Sequence, residues 1–195
     1  MKGIRIILLL FIGGFAIACT DTPIPKPYGY FRIDFPEKDY RLLESDDLPY
    51  QFEYPVYSLL TPYPNQERGK YWYNLNFPLQ KAQLHLSYHP IQENLRFLLD
   101  ESHQLAFKHQ IKSDAIQDEV IMNPDESKFG LIYHIRGNAA SPIQFFLTDS
   151  SQHFLRGSLY FLHAPNADSI APVLQFIESD IDHLINTLVW KEVHD

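Results

Sequence analysis

The hydrophobic pattern changes period several times along the chain, and each change predicts a different element. Behind the short basic start Met1-Lys2-Gly3-Ile4-Arg5, Ile6 to Ile17 is an apolar run broken only by Gly13-Gly14. About a dozen apolar residues fall short of the roughly 20 that a bilayer-spanning helix requires. Basic residues, a short apolar stretch and the small residues Ala16 and Ala18 ahead of Cys19 match a cleaved export signal over residues 1–18. Pro23-Ile24-Pro25-Lys26-Pro27 then brings three prolines in five residues with no apolar period, which predicts an extended tether over 19–27.

From the aromatic stretch Tyr28-Gly29-Tyr30-Phe31 onward the pattern reads as one folded domain, 28–195. Alternation at period two predicts strands over 50–54, 71–77 and 82–88, the last two forming a hairpin around Pro78-Leu79-Gln80-Lys81. Leu95, Leu98, Leu99, Leu105 and Ala106 fall at helical spacing, so a helix is expected from an Asn94 cap to about Gln110. Four further strands are expected over 119–122, 129–135, 143–148 and 154–162. Their connections are rich in turn formers, which predicts an antiparallel meander. Val173, Phe176, Ile177, Ile181, Leu184, Ile185 and Leu188 trace one face of a final helix while Glu178, Asp180 and Asp182 take the other, with Ser169 as its cap and Pro172 in its first turn. Strands, helix, strands and helix make an α+β domain, an antiparallel sheet with helices packed on it. The order is similar to that of the PsbP/Mog1-like fold, a likeness of architecture that carries no function.

Composition narrows the class of partner. The 195 residues carry 24 acidic against 16 basic side chains, a net charge of −8, and signal removal would take Lys2 and Arg5 with it. That balance argues against a nucleic-acid or anionic-membrane surface as partner. With 45% apolar and 14% aromatic residues, the chain can bury a sizeable core. Cys19 is its one cysteine and has no partner for an intramolecular disulfide. Placed directly after the export signal, its sulfur is read as the site of lipidation. A diacylglyceryl group on the thiol plus an acyl chain on the new amino terminus exceeds the two hydrophobic signals that stable anchoring needs.

The residues offer little conventional chemistry. His85 and His89 have a spacing that would pair two imidazoles on a helix, but on a strand they lie about 13 Å apart, too far to share a zinc ion. Ser141 follows Gly137-Asn138-Ala139-Ala140 but precedes Pro142 and lacks a nucleophile elbow, so it reads as part of a strand connection. Asp149-Ser150-Ser151-Gln152-His153 holds the residue types of a hydrolase triad yet reads as a hairpin turn, because sequence neighbours rarely converge on one reacting atom. The acidic pairs Asp46-Asp47 and Asp118-Glu119 read as solvated faces. Phosphate-cradling glycine motifs are absent. Tyr28, Tyr30 and Phe31 near the tether, and Tyr71, Trp72 and Tyr73 on an expected sheet edge, are interface candidates. Arg32 and Arg156 are candidates for ion pairs or an interface. No catalytic residue, metal ligand or cofactor site is expected.

Five stretches in one order carry a family resemblance: Pro25-Lys26-Pro27-Tyr28-Gly29-Tyr30-Phe31-Arg32-Ile33-Asp34, Phe52-Glu53-Tyr54-Pro55-Val56-Tyr57, His85-Leu86-Ser87-Tyr88, the run from Gly137 to Ser150, and His153-Phe154-Leu155-Arg156-Gly157. From Cys19 to about Trp190 the chain resembles the gliding motility lipoprotein GldD family of the Bacteroidota. The resemblance implies a lipid-anchored envelope protein needed for gliding and linked to type IX protein secretion. Its implied partners are the membrane, through lipid on Cys19, and other gliding or secretion proteins of the envelope. It transfers no catalytic residue and no cofactor, so Cys19 alone arrives with a defined role. Thr20 and Asp21 do not form the strict inner-membrane retention signal, and the tether lacks an acidic run for surface export. The expected location is therefore the outer membrane, facing the periplasm. The alternatives are an envelope-assembly factor that stabilises partner lipoproteins, and a periplasmic enzyme or ligand-binding module with a cleft at Gly137–Pro142 and His153.

Overall fold

A computed structural model of the chain describes residues 33–45, 47–65, 69–108, 110, 113–162 and 167–192, the side chains of 167 and 168 excepted. In chain order the elements are β1 (Tyr40–Leu43), β2 (Tyr50–Pro55), β3 (Leu59–Pro62), β4 (Tyr73–Phe77), β5 (Ala82–Pro90), α1 (Leu95–Phe107), β6 (Ser113–Asn123), a short 3₁₀ turn (Pro124–Glu126), β7 (Lys128–Gly137), β8 (Ile143–Thr148), β9 (His153–Phe161), α2 (Ala167–Thr187) and β10 (Val189–Trp190). They belong to the unit Asp34–Asp195, which is the one described here. The signal, Cys19, the tether, Tyr28, Tyr30, Phe31, Arg32 and Asp46 lie outside the described residues.

Seven strands form one sheet in the order β3-β4-β5-β9-β8-β7-β6, and β1-β2-β10 form a small second sheet. Every pairing is antiparallel. The expected meander is there as β6-β7-β8-β9, and β9 returns to pair with β5, which joins the meander to the β4-β5 hairpin.

Alternation assigns the two faces of the large sheet. Leu84, Leu86, Ile143, Phe145, Leu147, Leu155 and Leu159 point to the first face. There they meet Ile177, Ile181 and Leu184 of α2 together with Tyr50 and Phe52 of β2. All six residues of β8 are buried, because α1 covers the second face behind Phe146 with Leu98 and Ala106. Gly157 is fixed by this packing, since a Cβ there would lie 2.2 Å from ring atoms of Phe145.

Two polar devices tie the first-face layer down. Lys128 is 2% exposed, and its Nζ donates to the carbonyls of Ile185 and Asn186 at 2.9 Å each. A cation is thus set against the carbonyls that α2 leaves unpaired at its C-terminal end. Asp180, expected on the polar face of the last helix, is instead 1% exposed because the segment before β2 packs over it, and it accepts from Lys38 Nζ at 2.5 Å, from Tyr40 Oη at 3.0 Å and from Tyr57 Oη at 2.7 Å. Lys38 also sits 3.5 Å above the Phe176 ring, and Phe35 stacks on that ring. The segment entering the domain is clamped to α2 in this way.

Several boundaries differ from the pattern reading, each for a physical reason. Tyr71 takes a left-handed φ of 68° and the Trp72 N–H closes a turn onto the Gly69 carbonyl, so β4 starts at Tyr73 rather than at 71. The edge beside it belongs to β3, a mostly exposed four-residue strand ending in a proline, whose pattern gave no signal. Tyr71, Trp72 and Tyr73 are consequently packed against the core rather than lying on an edge. β6 runs 11 residues instead of four; it is exposed along most of its length, so alternation is washed out. The first helix stops at Phe107, and although Asn94 holds the cap position, its Oδ1 accepts from Gln92 N instead of from the helix. The last helix begins at Ala167, which puts Ser169 and Pro172 inside it rather than at a cap and in a first turn.

Candidate functional site

On the second face, α1 lies over β8 and β9 and leaves β4 and β5 open. Where it stops, a cleft of about 490 Å³ forms between the sheet and the Glu101 and Leu105 side of the helix. Strand register builds its floor. Asn74 stands opposite His85, His85 opposite Ser158, and Ser158 opposite Gln144. At about 4.8 Å between strands this makes a polar row about 14 Å long. In the row beside it, Ser87 faces Arg156.

Aromatic rings bound the cleft. The Trp72 indole N–H donates to the Tyr88 carbonyl at 2.7 Å, which fixes the ring; Tyr63 lies against it at 5.4 Å and His89 at 5.2 Å. At the opposite side Tyr160 meets His85 edge-on at 5.3 Å.

The electrostatics are balanced. Arg156 Nη2 donates to Glu101 Oε2 at 2.6 Å, with the two side chains 12% and 41% exposed. Arg156 Nε is buried with no hydrogen-bond partner among the described residues, so the guanidinium is held from one side. Burial lowers the pKa of His85 from its usual 6.5. Burial and then the Arg156 charge lower that of His89, against the opposing pull of Glu101. Both imidazoles are therefore neutral at pH 7.

A depression of about 540 Å³ on the first face is lined by Glu119, Lys128, His134, Glu178 and Asp182. Its principal groups already serve the fold: Lys128 holds the end of α2, and His134 Nδ1 bonds Glu178 at 2.9 Å. The second-face cleft is the better candidate because its polar row is not committed in this way.

The residues singled out from the sequence separate clearly. His85 and His89 share one face of β5, as expected for a strand, and both line the cleft. Arg156 lies at its floor. A groove of about 250 Å³ does lie beside the loop at Gly137 and Pro142, but His153 is not in it. Ile143 pairs with Leu159 whereas His153 starts the same strand, so the two are roughly 20 Å apart at about 3.3 Å per residue. His153 instead bonds Tyr88 Oη through Nδ1 at 2.9 Å and stacks on Trp190 at 5.2 Å. Burial, first among its causes, pushes the Tyr88 hydroxyl up to about 12 and lowers His153.

Ser141 is fully buried and its hydroxyl donates to the Ile143 carbonyl. Asp149 is a turn residue, its Oδ1 accepting from the backbone N–H groups of Ser151, Gln152 and His153. Burial alone would raise its pKa, but these hydrogen bonds outweigh burial and hold the carboxyl below its usual range. Asp47, Asp118 and Glu119 are exposed, as solvated acids should be. Sequence reasoning missed Asn74, Gln144, Ser158, Tyr160, Tyr63 and Glu101. The polar positions of the alternating strands were the available signal, but only strand register brings them into one row.

Comparison with known proteins decides the family. The model of the family described as gliding motility lipoprotein GldD matches residues 20–190. The chain belongs to this family. It is therefore a lipoprotein of the gliding motility class, a membrane-anchored protein of the cell envelope, and the resemblance seen in its sequence stretches holds. No helix among the described residues is long and apolar enough to cross a membrane. The solution structure of cyanobacterial PsbP (CyanoP) from Synechocystis sp. PCC 6803 is similar, with a TM-score of 0.52 at 10% identity over 86% of this chain and 99% of that one. At that identity the likeness shows the fold alone, and the expected PsbP-like α+β architecture is present. No curated protein matches the chain.

Proposed function

We propose that this lipoprotein acts without catalysis in gliding motility and type IX protein secretion, holding its domain at the periplasmic side of the outer membrane by lipid on Cys19 and docking there on other envelope proteins of the machinery. The observation that carries the reading is the family match over 20–190, which begins at the residue after Cys19 and takes in nearly all of the domain. The clamp at the domain's entrance supports it. Lys38, Tyr40 and Tyr57 converge on buried Asp180, so a load applied to the segment ahead of Lys38 is passed into α2.

Deleting the gene should abolish spreading of the cells and strongly reduce export of a type IX cargo. Normal export together with normal gliding would overturn the proposal. Pull-down of the intact protein should recover envelope components in stoichiometric amounts, and Cys19→Ala should lose them along with membrane association. Sub-stoichiometric recovery would favour an assembly factor instead. Protease added to intact cells should leave the domain uncut; its degradation would put it on the outside.

A further inference from the structure

We propose that the open cleft of the second face binds a neutral sugar chain, a short run of pyranose units laid across β4, β5 and the exposed part of β9, with Gln144 of covered β8 closing the inner end. This does not depend on the docking role, which concerns other proteins. Three observations carry it.

The first is the polar row. Asn74, His85 and Ser158, all half-buried, stand opposite one another on three adjacent strands, and Gln144, 4% exposed, continues the row beneath α1, so polar positions repeat at about 4.8 Å. An amide offers two donors and an acceptor, and a hydroxyl or neutral imidazole offers one of each kind. A sugar hydroxyl is likewise donor and acceptor at once, and an extended sugar chain advances by a comparable length per unit. A flat row of mixed polar groups matches such a chain better than it matches a ligand of one polarity.

The second is charge. Among the described residues Arg156 is the one cation lining the cleft; it is paired with Glu101 at 2.6 Å, and the two imidazoles are held neutral by burial. An ionic ligand would meet no net opposite charge and would have to compete with Glu101. A neutral ligand leaves that pair intact.

The third is the aromatic border. Trp72 uses its N–H on the Tyr88 carbonyl, so what it offers the cleft is ring surface rather than a donor. Tyr160 stands on the other side of the row. Rings beside planar polar groups suit a pyranose, whose C–H faces are apolar and whose rim is hydroxylated. Cell-wall glycan strands and secreted glucans share this chemistry.

The test uses the full-length chain in a detergent without a sugar head group. It is titrated by calorimetry and tryptophan fluorescence with N-acetylglucosamine oligomers and, separately, with neutral glucose oligomers. Saturable binding of either series supports the proposal, and the preferred series identifies the source. Trp72→Ala should weaken binding about tenfold or more, and Asn74→Ala or Ser158→Ala several-fold. Trp72→Ala also removes a packed ring. The two polar variants, which remove the side-chain polar atoms of half-buried residues, keep the test independent of folding when their melting curves match the parent. Absence of heat and of a fluorescence change for both series at about 10 mM would overturn the proposal. So would unchanged affinity in both polar variants, or binding confined to anionic oligomers.

Discussion

The two faces of the seven-stranded sheet are built from the same strands and do different work. On the first face, the inward residues of β5, β8 and β9 are apolar apart from His153 and the Tyr88 hydroxyl at one end, which bond each other, and the layer is closed over by α2 and β2 with its other polar groups bonded within the fold. On the second face a single helix covers one half, Gln144 included, and the other half shows Asn74, His85, Ser87 and Ser158 at the same alternating positions. Alternation thus separates what the domain needs to stand from what it can offer to a partner. The first face should be intolerant of any change. The open half of the second should tolerate loss of polar atoms with little effect on stability.

The sharpest test is in the centre. Phe145→Ala deletes a ring that is 1% exposed in the middle of the covered face and should cost about 3–5 kcal/mol in urea unfolding. Gly157→Ala attacks the same contact from β9, where a Cβ would fall 2.2 Å from the Phe145 ring; overpacking of this kind costs about 1–3 kcal/mol. If either variant unfolded at the parent's urea midpoint, the distinction between the faces would fail.

Next comes the clamp. Asp180→Leu leaves Lys38 and two tyrosine hydroxyls without their acceptor, and about 3 kcal/mol should be lost, with Lys38 partly relieved by its 31% exposure. Limited proteolysis should then cut near residues 34–39 before the rest of the domain. An unchanged cleavage pattern would show that the segment is held by Phe35 and Phe176 alone.

Acidification should act through the histidines. His85, His89 and His153 have native pKa values lowered from 6.5, chiefly by burial. As pH falls below about 6.5 the unfolded chain takes up protons first, so it binds more protons than the native state and stability declines with falling pH. Their contribution is fully present above that value and is lost as pH drops through the native pKa values. Urea midpoints at pH 7.5 and pH 5.5 should therefore differ, and His85→Gln with His89→Gln should shrink the difference. An unaltered difference would assign the effect to His153.

The smallest effect is expected on the open half. Asn74→Ala and Ser158→Ala should change stability by no more than about 0.5 kcal/mol. A large loss in either would mean that the polar row is structural, and the two faces would then differ less than their chemistry suggests.

Part of this architecture is legible in the residues alone. The period-two runs of β2, β4 and β5, the helical stripes of α1 and α2, and the turn chemistry that bounds the meander strands are local signals, and local backbone sterics and solvent partition act on them directly. Elements with no covered face are not legible. β3 is a short exposed edge, and β6 hides its period in an exposed hairpin. The two-residue β10 exists because it reaches β2. Tyr71 and Trp72 read as strand because their residue types favour strands, yet a left-handed φ turns the chain there.

Composition and neighbours within a few residues are enough to read the acidic balance and the α+β class. They are not enough to place His153 with Tyr88 and Trp190 rather than with the Gly137–Pro142 loop, or to bring Asn74, His85, Ser158 and Gln144 into one row; the folded chain decides both. The physical reason is register. A strand's pattern fixes which way its side chains point, but which residue lies across from which is set by the long return of β9 onto β5, and no local period encodes that.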